Sequence, residues 1–173
     1  MIHDENPFVE AADQRDPVRR FRGRLAAPVT VVTSGSDDHP AGLTVSSLNV
    51  VEGTPGIAQL VVGSTTDLWD VAEQTGAFVI HVLEEGDRHL AEVFAGLRPS
   101  PGGPFAGLDL TQSRHGPVIE RLADRAYCRF LDRYEVGYSG ILTGEIESVE
   151  ASGLIDPLVY FRGSYRSLGR QGP

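Results

Sequence analysis

The chain has 173 residues, 40% of them hydrophobic and 23% charged, with one cysteine and a formal net charge of −9. This length suits one domain with its own buried core; the lone Cys128 excludes an intrachain disulfide, and no Cys/His spacing fits a structural zinc site. The acidic balance argues against nucleic acid or an anionic membrane as partner, and no apolar run approaches the roughly 20 residues of a bilayer span.

The start, Met1-Ile2-His3-Asp4-Glu5-Asn6, is acidic and polar, unlike a signal peptide, so a cytoplasmic location is expected. Residues 1–13 read as a flexible N-terminal arm and residues 14–173 as a single domain. Asp16-Pro17 opens a helix, with proline in the first turn. Val18, Phe21 and Leu25 then follow at helical spacing, while Arg19, Arg20, Arg22 and Arg24 fill the other positions. These arginines read as the solvated face of a short helix, suited to packing on a partner subunit, rather than as an anion site.

Strands are expected over residues 29–33, 42–45, 48–52 and 57–62, the last two separated by Thr54-Pro55-Gly56. Leu68, Val71, Ala72 and Thr75 mark an amphipathic helix, ended by Gly76. An apolar strand over residues 77–83 is interrupted by His81, and Leu90, Val93 and Phe94 mark a second helix near residues 88–94. Residues 97–107, rich in glycine and proline, read as a loop, either a lid or a surface wrap. Two long strands, about residues 126–136 and 141–151, are joined by Gly137-Tyr138-Ser139-Gly140, and a last strand covers residues 158–162. The fold class is mainly β: a barrel with short helical insertions.

The run Ala41-Gly42-Leu43-Thr44-Val45-Ser46-Ser47-Leu48-Asn49 sets three hydroxyls beside a glycine, after a strand and a turn. Two readings are open. One is a hairpin with ordinary polar turn residues; the other is a polar edge for a flat cofactor, held by hydroxyls and free backbone N–H groups. Gly63-Ser64-Thr65-Thr66-Asp67 is likewise either a capped helix start or an anion site, with Asp67 opposing a phosphate. His81 reads first as a satisfied buried histidine and second as an acid/base group. Phe94 is a core aromatic or a wall for a ring, Trp69 a core cap or an adenine neighbour, and Cys128 a small buried apolar residue.

Five segments occur in an order that resembles the flavin reductase-like, FMN-binding split-barrel family. They are Pro28-Val29-Thr30-Val31-Val32-Thr33-Ser34, the Gly42-Leu43-Thr44-Val45-Ser46-Ser47 loop, Phe78-Val79-Ile80-His81-Val82-Leu83 (with His81 where asparagine is usual), Leu90-Ala91-Glu92-Val93-Phe94-Ala95, and the closing segment from Pro157-Leu158 through Tyr160 and Gly163 to Tyr165. The resemblance spans about residues 18–168. It implies a homodimeric split β-barrel that binds FMN or FAD and reduces it with NAD(P)H, some members handing reduced flavin to a flavin-dependent monooxygenase.

Carried over residue by residue, the resemblance puts Thr44, Val45, Ser46 and Ser47 along the polar edge of the flavin ring. Gly63, Ser64, Thr65 and Thr66 fall at the flavin phosphate, where Leu68 replaces a second hydroxyl. Phe94 walls the ring, and Arg162 and Tyr165 close the pocket. At the 137–140 turn many members carry G-D-H, its histidine facing the nicotinamide. This chain has Gly137-Tyr138-Ser139, leaving Tyr138 and Ser139 on the expected nicotinamide side and no assigned catalytic residue. The alternative is a non-catalytic flavin carrier or redox sensor, or a related barrel holding deazaflavin, haem or pyridoxal phosphate. No metal is expected.

Overall fold

The computed structural model describes residues 16–169; the expected N-terminal arm lies outside them. Helix α1 (Pro17–Arg22) is capped by the Asp16 carboxylate, which accepts from the Val18 and Arg19 N–H groups at 2.8 and 3.1 Å. Three short β-branched runs and their turns then give β1 (Ala27–Pro28), β2 (Thr30–Ser36), β3 (His39–Val45), β4 (Leu48–Val51) and β5 (Gly56–Val62). Helix α2 (Asp67–Thr75) stops at Gly76, whose left-handed φ of 72° glycine adopts without steric cost. Strand β6 (Ala77–Val82) and helix α3 (Arg88–Phe94) follow. A small hairpin, β7 (Leu110–Ser113) and β8 (Gly116–Ile119), precedes the long strands β9 (Arg125–Val136) and β10 (Ser139–Glu150). The described chain closes with β11 (Leu158–Phe161) and β12 (Ser164–Ser167).

The main sheet runs β3-β2-β6-β9-β10-β5-β4, every pair antiparallel. Its two edge strands, β3 and β4, are consecutive in the chain, joined by Ser46-Ser47 alone. Three peptide units reach at most roughly 11 Å, so the two edges must come together there and the sheet must curl into a half-closed barrel. The Val61 N–H donates to the Ser47 carbonyl at 2.9 Å, which carries the β4–β5 ladder one residue into that bridge.

Strand alternation sets the two cores. From β2, Val32 faces the barrel interior with Leu60, Phe78, Ile80 and Leu142, while Val31 faces a second cluster with Leu83, Leu90, Phe94 and Leu158. Helix α2 caps the barrel with Leu68 and Trp69, and the Trp69 ring lies directly over Gly140, filling the space a Cβ would need. Cys128 is fully buried in the barrel, and burial pushes its thiol up to about 12, which leaves it an inert apolar residue.

The expected strands and helices are present within a residue or two at most ends. The β7–β8 hairpin was not among them. Gly116-Pro117 suppresses a strand signal, and tertiary contacts override it: the Thr33 hydroxyl donates to the Pro117 carbonyl at 2.5 Å, and Gly116 sits against the Ser34 backbone. The glycine- and proline-rich loop after α3 wraps the surface, pinned by Phe105, whose ring meets Phe94 edge-on at 5.0 Å. Among the described residues no helix is long and apolar enough to cross a membrane, and no cluster of His, Cys, Asp or Glu could hold a metal ion.

Candidate functional site

A groove of about 850 Å³ opens where the two sheet edges meet. Its floor is the outward face of β5 and β10. On β5, Ala58, Leu60 and Val62 point inward while Gln59 and Val61 point out, and Val61 pairs with Ile141 of β10. Ser46, Ser47 and Asn49 supply a polar edge, and Tyr160 of β11 contributes from the opposite rim. A second depression of about 500 Å³ shares Arg22, Ser46, Ser47 and Val61 with the first and runs on to Gly63, Val136 and Ser139. Both volumes fall in the range of small-molecule sites.

The charge of this groove departs from that of the chain. Arg19, Arg20, Arg22, Arg24 and Arg162 line it, and no Asp or Glu does. The chain has no lysine, so all 15 basic residues are arginine. Every arginine from Arg88 to Arg133 pairs with a carboxylate. Among the described residues, the five in the groove pair with none. The helix read as a solvated face therefore turns its arginines along a concave site. Its apolar residues stay uncovered: Val18 is 74% and Phe21 65% exposed.

The residues singled out in sequence are only partly brought together. Thr44, Val45, Ser46 and Ser47 all border the smaller depression, and the Ser47 hydroxyl accepts from Arg22 Nη2 at 3.2 Å. The Thr44 hydroxyl donates to the Ala91 carbonyl at 2.7 Å, tying β3 to α3, so its remaining contact toward the groove is through the backbone. Gly63 lines the depression, whereas Ser64, Thr65 and Thr66 do not, and the Thr66 hydroxyl donates back to the Gly63 carbonyl at 2.8 Å instead of capping α2. Phe94 is 3% exposed and belongs to the second core cluster. Tyr165 stands behind Tyr160, ring to ring at 5.4 Å, and burial, then Tyr160 and Glu92, raise its phenol above the usual range. Ser139 borders the depression, but Tyr138, at the hairpin tip, points wholly into solvent. Trp69 lines neither depression and holds the Arg133 guanidinium 4.8 Å over its ring.

Sequence reading missed Gln59, Val61, Ile141 and Tyr160. Outward alternation on β5 was available as a signal for the first two; Ile141 and Tyr160 reach the groove only through long-range pairing. His81 is fully buried, with its Nδ1 3.2 Å from the Val31 carbonyl and its Nε2 accepting from the Ile119 N–H at 3.2 Å. The Ile119 donor requires a bare Nε2, so the ring is neutral with the proton on Nδ1. Burial lowers its pKa to about 4, against a rise from the Val31 bond, and Arg125 lowers it further. It is a structural histidine and lines neither depression.

The chemistry of the lining suits a flat ligand with an anionic tail: an apolar floor, an uncharged polar edge and arginines beyond it. The chain matches the model of the flavin reductase like domain over residues 22–169. It is 32% identical over 154 residues to the reductase component of 4-hydroxyphenylacetate 3-monooxygenase from Thermus thermophilus, covering 89% of this chain and 97% of that protein. It is 32% identical over 171 residues to the NADH-dependent FMN reductase AsuE2 of Streptomyces nodosus subsp. asukaensis, covering 96% and 90%. Its fold superposes with a TM-score of 0.78 and 25% identity on the NADH:FAD oxidoreductase SgcE6 of Streptomyces globisporus, solved with NAD and FAD fragments, over 95% of this chain and 97% of that one.

Proposed function

Because the chain belongs to the flavin reductase-like family, we propose that its groove binds FMN or FAD and that the protein reduces this flavin with NAD(P)H. The observation that carries the reading is the groove itself: a carboxylate-free, arginine-lined cleft built around Ser46-Ser47. Bound there, flavin supplies the acceptor for a hydride from the nicotinamide. The residues of this chain do the rest. Ser46 and Ser47 hold the polar edge by hydroxyl and backbone groups, Val61 and Ile141 exclude water from one face, and the arginines hold phosphate. The lack of any Asp or Glu in the lining leaves negative charge gained on reduction unopposed.

Since reductase components of monooxygenases are among its relatives, the expected consumer of the reduced flavin is a flavin-dependent monooxygenase. We take residues 14–173 as one catalytic domain acting in the cytoplasm as a homodimer. The groove floor continues across the sheet into half-exposed Tyr134, the partner of Ile141 in β9, and Val136 is 49% exposed beside it. A second subunit would cover these; sedimentation at the monomer mass would overturn the dimer.

Anaerobic stopped-flow mixing of the flavin-loaded protein with NADH or NADPH tests the activity. Bleaching of the visible flavin band is expected with at least one of them. Stoichiometric flavin that neither nucleotide bleaches would instead show a carrier.

A further inference from the structure

The arginine end of the groove is larger in charge than a flavin monophosphate needs. Four arginines come from α1 and the residues just after it, and Arg162 comes from the β11–β12 turn across the rim. The two rims are fixed to each other by the Arg162 N–H, which donates to the Gly23 carbonyl at 3.0 Å. Arg162 also has a φ of 52°, the one left-handed non-glycine residue among those described, followed by Gly163 at 80°. Two positive φ values make this a type I′ hairpin turn, whose first central position favours Asn, Asp or Gly. An arginine there is held at a steric cost, offset within the turn only by its guanidinium lying 5.2 Å over the Phe161 ring.

We propose that these arginines recognise a pyrophosphate, the ADP half of a dinucleotide, and make the site selective for ligands that carry it over ligands with one phosphate. Guanidinium groups bind phosphate oxygens in paired, forked contacts, and adjacent phosphates demand several cations converging from more than one side. Arg22 sits at the junction: it lines both depressions and donates to Ser47, so the ring edge and the charged end are continuous. The concave shape and the net charge of −9 over the whole chain limit the ligand to a small anion. Two sources share this chemistry, FAD and NAD(P)H. The proposal rests on the flavin-site reading only for the ring end of the groove.

Calorimetric titration with ADP, which carries neither flavin nor nicotinamide, tests it on the whole protein, on Arg22→Gln and Arg162→Asn, and on Arg88→Gln, whose arginine pairs with Glu85 on α3. ADP is expected to bind, to weaken with added salt, and to lose roughly tenfold in affinity in each groove variant, with Arg88→Gln unchanged. Arg162→Asn is expected to melt no lower than the parent, because asparagine suits the left-handed position; a purely structural arginine would leave ADP affinity untouched there. ADP displacing FAD, with FAD bound tighter than FMN, assigns the flavin's own ADP half. ADP displacing NADPH but not FAD assigns the nicotinamide nucleotide. No ADP binding, or binding in both groove variants as tight as in the parent, overturns the proposal. ADP binding without flavin bleaching would count against the reductase reading alone.

Discussion

Gly42→Val is expected to destabilise the protein by about 3 kcal/mol, lowering the melting temperature by roughly 6–12 °C for a chain of this size. A Cβ at residue 42 would stand 2.5 Å from Phe94 Cε1 and 2.8 Å from Phe105 Cζ. Phe94, 3% exposed, has no room to retreat, and the half-buried Phe105 ring is packed edge-on against it at 89°. The backbone φ of Gly42 is not left-handed, so the requirement is space. The glycine of the hydroxyl-rich loop thus serves the packing of α3 and the following loop against β3, and any loss of flavin in the variant follows from that. Thermal denaturation of Gly42→Ala with and without Phe105→Leu checks the assignment: trimming Phe105 should return part of the loss, and additive effects would refute it.

The second large effect is acid sensitivity centred on His81. Its folded pKa, about 4, lies below the model-peptide value of 6.5. Between those two values the unfolded chain binds the proton and the folded chain does not. This contribution to stability is therefore complete above pH 6.5 and is lost as pH falls toward 4, by about 3 kcal/mol in all. Protonation would put an N–H at Nε2 against the Ile119 N–H, which the buried site cannot relieve. His81→Asn should flatten the difference between melting temperatures at pH 7 and pH 5 by roughly 3–6 °C relative to the parent. An identical slope in both proteins would remove His81 as the cause.

Much of the barrel was legible because its signals are local. The β-branched runs of β2 and β5, the spacing of α2 with Gly76 after it, and the span of α3 each need only neighbouring residues. The hairpin β7–β8 was not, because what stabilises Gly116-Pro117 is Thr33 and Ser34, far off in sequence. The site divides the same way. Ser46-Ser47 could be found as a cluster of hydroxyls between strands. Thr44, Phe94 and Tyr165 belong to the same motifs, yet their side chains are engaged with Ala91, Phe105 and Tyr160. The arginines of α1 show the converse. Helical spacing divides a helix into sides but does not say what stands across from each, and here Arg162 and the floor of β5 turn a solvated face into a wall.

The meeting of β3 and β4 at Ser46-Ser47 has a thermodynamic side. Most of the barrel is laced by continuous ladders, but at this seam β3 and β4 do not pair and are joined by one short covalent bridge, Ser46-Ser47. Local opening should cost least there, and the seam is also where the ligand would lie. A molecule bound across it acts as a removable rivet: it adds RT ln(1 + [L]/Kd) to the closed form. The rigidity of the barrel then becomes a function of how much cofactor is present, and a protein that gives its cofactor away loosens each time it does so.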